Sequence, residues 1–135
     1  MNTSNLSTKD LMVGDWVSLS KGNWSENRQV ELIDIEMIAE SVYFAAPIPL
    51  TPEILEKNGF ERNPLWHHCD KDLDDYSISV QLGYANRIEY IKIAEKGKDN
   101  VIPSERTKLY LTHIKYVHEL QHVLRLCRIN MIIEL

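Results

Sequence analysis

Alternation of apolar and polar residues dominates the first third of the chain. Trp16, Val17 and Leu19 follow the turn signal Gly14-Asp15 and open a strand. A hydrophilic turn is expected over residues 21–27. Residues 30–38 read as a long strand, with Val30, Leu32, Asp34 and Glu36 on one face and Glu31, Ile33, Ile35 and Met37 on the other. Residues 42–45 make a third strand. Strands opening on Gly-Asp-x-Val are common in SH3-like barrels, so a curled meander is one form residues 1–45 can take.

The next segment carries helix punctuation. Thr51 is a good N-cap, Pro52 fits the first helical position, and Glu53 complements the positive helix end. Leu50 and Leu55 stand where a hydrophobic staple needs them. Asn58-Gly59 stops the helix, and Phe60 is placed for the apolar contact beyond the stop. Strands then follow at residues 65–69 and 77–82, separated by an acidic turn at 70–75. Gly83 to Asn86 turns the chain into a strand at 88–93, completing a hairpin. A loop at 96–103, a strand at 107–111 and a helix from about 114 to 127 complete the pattern. The fold class is α+β: antiparallel strands, a short middle helix, and a C-terminal amphipathic helix packed on the sheet through Val117, Leu120 and Leu124. Residues 1–10 are expected to be loose, and residues 11–135 to form one domain, as 135 residues suggest.

Charge and cysteine usage narrow the function classes. A net charge of -5 argues against general nucleic-acid binding, which needs clustered excess cation. Cys69 and Cys127 sit in no CxxC pair, so neither a disulfide framework nor a structural zinc signature is expected. Met1 to Asp10 is polar, without the apolar stretch of a signal peptide, and no apolar run approaches membrane-helix length. The expected location is the cytoplasm.

One motif carries recognisable chemistry. His118-Glu119-Leu120-Gln121-His122 spells HExxH within the last helix. Histidines at i and i+4 can share a zinc ion while the glutamate acts as general base toward a metal-bound water. Three features oppose that reading. The HExxHxxGxxH extension is absent, position 128 being Arg128, so a third ligand has to come from upstream, from His67, His68 or Asp70. At about 100° per residue, Ile114, Val117, Leu120, Leu124 and Cys127 form an apolar stripe, and His118 and His122 fall opposite it, beside Gln121 and Arg125. That is a solvated face unless another element covers it. Finally, the Arg125 cation lies one turn from His122 and repels a dication.

Other candidates are weaker. Trp66, His67, His68, Cys69 and Asp70 place ligand types in a row, but on a strand His67 joins Cys69 on one face and His68 joins Asp70 on the other. Asp70 to Asp74 begins like a calcium loop and fails at Asp75 and Gln81, where glycine and glutamate are required. Trp16, Trp24 and Trp66 suit a core as readily as a binding surface.

Residues 47–60 (PIPLTPEILEKNGF), 116–128 (YVHELQHVLRLCR) and the GDWV of Gly14 to Val17 together resemble a group of small uncharacterised proteins of Bacteroidales genomes, their phages and mobile elements. In that group the helix commonly resembles YVHQLQN, with glutamine at the place of Glu119 and asparagine at that of His122. The resemblance therefore implies a structural helix. The group's genomic setting, with the lack of other recognisable chemistry, points to a non-catalytic protein that binds a host protein or a small signalling ligand and uses no cofactor. The alternative is a zinc-dependent hydrolase with His118 and His122 as ligands and Glu119 as base. Trp66, His67 and His68 remain candidate binding residues, and the binding reading predicts an exposed apolar or aromatic patch and a homo-oligomer.

Overall fold

The computed structural model describes residues 5–65, 67–95 and 107–135. It is α+β, with two antiparallel sheets and three α-helices among those residues. The chain folds as two compact units, Met1–Pro49 with Tyr116–Met131, and Leu50–Lys115 with Ile132–Leu135.

In the first unit, β1 (Trp16–Lys21), β2 (Trp24–Gln29) and β3 (Phe44–Pro47) form a sheet of order β2-β1-β3. Strand β2 occupies most of the segment expected to be a turn. The turn itself is only Gly22-Asn23, because Gly22 supplies the positive φ of 59° that a two-residue hairpin needs at its first position. Polar composition concealed β2: its side chains are mostly exposed, so no apolar alternation marks it.

The segment expected to be a long strand is instead helix α1 (Leu32–Ala39). Its apolar residues are dense enough to satisfy both the strand and the helix period. Local capping decides between them: the Asp34 carboxylate reaches back to accept from the Glu31 backbone N–H at 2.8 Å. Asp34 is buried, with Arg28 Nε at 3.4 Å. Ile35 and Ile38 pack on a core of Leu11, Val17, Leu19, Val30 and Ala45, while Leu32 and Ile33 face solvent. At the start of the chain, Leu6 N–H donates to Ala45 O at 2.8 Å, and a single 3-10 turn (Thr8–Asp10) follows. Helix α3 (Val117–Leu126) buries Val117, Leu120, Val123 and Leu124 and lies against β1.

In the second unit, β4 (Glu61–Asn63), β5 (His68–Asp72), β6 (Tyr76–Leu82), β7 (Ile88–Glu95) and β8 (Thr107–Leu111) form a sequential meander. Cys69, Ile78, Val80, Leu82, Ile91 and Ile93 supply its buried residues. Strand β5 starts at His68, three residues later than expected. Asn63 accepts from the Leu65 N–H at 3.0 Å, and His67 takes a positive φ of 53°, so the chain turns there before pairing begins. The loop expected at 96–103 lies outside the described residues.

Helix α2 (Pro52–Lys57) follows its sequence signals closely. Thr51 Oγ1 accepts from Ile54 N–H at 3.3 Å. Gly59, at φ 89°, lets Phe60 N–H donate to Leu55 O and Gly59 N–H to Glu56 O, the paired bonds of a Schellman stop. Leu50, Leu55 and Phe60 are all buried. Asn58 then exchanges hydrogen bonds with Glu134, and Lys57 donates to Leu135 O, tying residues 132–135 to this helix.

Candidate functional site

The HExxH helix and the Gly14-Asp15 turn meet within the first unit. Four polar residues, His118, Gln121, His122 and Arg125, repeat at i, i+3, i+4 and i+7, so they share one side of α3. The expectation that this side is solvated is overturned: His118 and Gln121 are buried, and the turn of residues 12–16 lies over it. A hydrophobic stripe marks a helix's core face but says nothing about what covers the opposite one.

The contacts are specific. Gln121 Oε1 accepts from Trp16 N–H at 2.8 Å, and Gln121 Nε2 donates to Gly14 O at 2.9 Å. The Asp15 carboxylate is fully buried and has three donors around it. Met12 N–H donates to Oδ2 at 2.8 Å, Arg125 Nη1 donates to Oδ1 at 2.8 Å, and His122 Nε2 lies 2.6 Å from Oδ2. Arg125 also donates from Nη2 to Val13 O at 3.2 Å. From the other side, Gly14 N–H donates to Val30 O and Val30 N–H to Asp15 O. Gly14 sits at φ 96°, which favours glycine, and a Cβ there would also crowd Arg125 Nη2 at 3.1 Å. The turn at residues 14–16 and α3 are thus in direct contact.

The elements of HExxH have other partners. His122 Nε2 is on Asp15, and Glu119 Oε1 accepts from Tyr116 N–H at 3.0 Å, satisfying the start of its own helix. The His118 and His122 rings stand edge to face, with centroids 5.5 Å apart. Arg125, which charge repulsion set against a dication, turns out to neutralise Asp15. Among the described residues, no three of His, Cys, Asp and Glu gather as a metal-binding group.

His118 is distinct. It stacks on Tyr116 with centroids 6.1 Å apart, and its Nδ1 is buried without a hydrogen-bond partner. Burial lowers its pKa, outweighing the opposing pull of the Glu119 and Asp15 carboxylates. Beside it lies an open depression of about 450 Å³, bounded by Lys9, Asp10, Tyr116, His118, Glu119 and His122. Hydrogen bonds from Ser7, backbone first and then hydroxyl, hold the Asp10 carboxyl below its ordinary pKa.

The candidates at residues 67–75 belong to the second unit. His67 precedes β5, which removes the pairing with Cys69 on one strand face. Cys69 is buried, and burial raises its thiol pKa. His68 does share a face with Asp70. Its Nδ1 lies 2.6 Å from Asp70 Oδ2 without forming a hydrogen bond. The acidic stretch is a strand end and a turn, closed by Leu73 N–H to Tyr76 O at 2.8 Å. Trp24, in the first unit, lies against Tyr43 with centroids 5.7 Å apart, and Trp66 lies outside the described residues.

Sequence reasoning passed over Asp15, Gln121 and Arg125. The available signal was the polar stripe itself: four residues with hydrogen-bonding side chains at helical spacing require partners whenever that face is covered. No protein-family model, curated protein or solved structure matches the chain. Among the described residues, no helix is long and apolar enough to cross a membrane.

Proposed function

We propose that this chain is a non-catalytic binding protein of phage or mobile-element origin, acting in the cytoplasm, that takes a small polar ligand in the depression beside His118. The observation that carries this reading is the engagement of the HExxH side chains. His122 supports the buried Asp15 carboxylate and Glu119 caps its own helix, so use of His122 as a ligand would break the hold on Asp15 and use of Glu119 as a base would break the helix cap.

The depression suits recognition. Lys9 contributes a cation, Asp10 and Glu119 contribute carboxylates, and Tyr116 and His118 contribute a stacked aromatic wall. Convergent polar groups of both signs beside an aromatic surface favour a small molecule with both donors and acceptors. A protein partner fits this concave feature less well. The resemblance of the GDWV and α3 segments to proteins of phages and mobile elements supplies the proposed origin.

Two measurements test the reading. A thermal-shift screen of small polar metabolites should yield a ligand whose stabilisation is lost in Lys9→Ala and Tyr116→Ala. Elemental analysis of tag-free protein and of His122→Ala addresses the hydrolase alternative. About one zinc per chain, lost in the variant, would replace the binding reading with the hydrolase.

A further inference from the structure

Strand β2 is the outer strand of the first unit's sheet. One side of it pairs with β1, and among the described residues no strand pairs with the other. Its residues are exposed apart from half-buried Arg28. Free edges are normally guarded by charged side chains, lysine above all, or by proline, a bulge or a covering element, because unpaired N–H and C=O groups invite another strand. The sequence of β2, WSENRQ, contains neither proline nor lysine, and its register with β1 runs unbroken from Trp16↔Gln29 to Lys21↔Trp24.

The two charges on this edge are self-complementary. Glu26 and Arg28 lie opposite Leu19 and Val17 in the register, so they share one face of the sheet. In an antiparallel pairing of β2 with a second β2 about a twofold axis through Asn27, Glu26 faces Arg28 of the other copy, and Arg28 faces its Glu26. Ser25 faces Gln29. Moving the axis by one residue sets Glu26 against Glu26 or Arg28 against Arg28, so charge selects a single register. Arg28 is one-third exposed, and its five donors leave capacity beyond the 3.4 Å approach to Asp34.

We propose that β2 is a self-pairing edge, through which two copies of this chain join by antiparallel pairing centred on Asn27 into a continuous six-stranded sheet. The interface is isologous, so it closes at two copies. The inference does not depend on the ligand reading.

Sedimentation velocity over a concentration series tests it. The parent chain should move from one-chain to two-chain mass as concentration rises. Glu26→Arg replaces two opposite-charge pairs with two like-charge pairs and should weaken association by about tenfold or more. Arg28→Glu should do the same, and an equimolar mixture of the two variants should pair again, since each reversed charge then meets its opposite. A parent chain that stays single throughout would overturn the proposal, as would a dimer indifferent to Glu26→Arg. Arg28→Glu also touches Asp34, so its folding is checked by circular dichroism. If it does not fold, amide exchange of the parent decides: protection of β2 that grows with concentration supports the pairing, and concentration-independent exchange overturns it.

Discussion

His122 Nε2 lies 2.6 Å from Oδ2 of Asp15, a carboxylate with no exposed surface. The pair joins the last helix to a turn more than a hundred residues earlier, and Arg125 completes it from the other oxygen. A buried carboxylate that loses one donor keeps its desolvation cost. His122→Ala should therefore lower unfolding free energy by about 1–3 kcal/mol. Arg125→Ala should cost a similar amount, and both effects should fall toward the lower end because each side chain is about one-third exposed. A true surface histidine would cost no more than about 0.5 kcal/mol. Urea denaturation of the two variants and their double mutant checks this, and the double should be non-additive because both act on Asp15.

Gln121 makes a sharper test because it uses both ends of its amide. Gln121→Glu keeps the acceptor for Trp16 N–H but replaces the donor to Gly14 O with a second acceptor. At neutral pH it should destabilise by about 2 kcal/mol or more, exceeding Gln121→Ala, since an unpaired charge is then buried. Acidification should narrow the gap between the two variants as the new carboxyl takes up a proton. Equal effects at every pH would show that the amide does not bridge the turn.

Helix α2 was legible residue by residue because its signals are local: Thr51, Pro52 and Gly59 each act within a few positions. The β6–β7 hairpin was legible because one face is buried and the other polar, giving clean alternation from Tyr76 to Leu82. Strand β2 lacks that alternation, and α1 has apolar residues on too many sides for period alone to decide. The site was hidden for a different reason. Asp15 and Arg125 are 110 residues apart, and only tertiary pairing reveals that one neutralises the other. The motif His118 to His122 was visible, but its side chains' partners were not.

The helical reading of α1 has its own discriminating experiment. A strand would place Ile33, Ile35 and Met37 on one face, whereas the helix exposes Ile33 and turns Ile35 toward the core of Leu11, Val17, Leu19, Val30 and Ala45. Ile33→Lys should change stability by no more than about 0.5 kcal/mol, and Ile35→Ala should cost about 1–3 kcal/mol, reduced from full-core values by its partial exposure. Comparable costs at both positions would favour the strand. Chemical denaturation with circular dichroism distinguishes them.

The pH dependence of stability should carry the mark of His118. Burial lowers its pKa in the folded protein, whereas the unfolded chain titrates near the ordinary imidazole value of about 6.5. Above that value the side chain is neutral in both states and imposes no penalty. As pH falls below it, the unfolded state binds the proton first, so stability declines until the folded-state pKa is passed. Asp10, held below its ordinary value of 3.8, contributes stability that persists above that value and is lost only at lower pH, so its loss sets in below the pH at which the His118 decline begins. His118→Phe should flatten the upper window and leave the lower one in place; the other four histidines are common to both proteins and cancel in the comparison. Because Nδ1 has no hydrogen-bond partner to lose, the variant should be as stable as the parent at pH 7 or slightly more so. Urea midpoints from about pH 2 to pH 8 check both windows. A variant that keeps the parent's decline below pH 6.5 would assign the effect to another group, whereas a flattened profile with lost ligand binding would place His118 at the recognition surface.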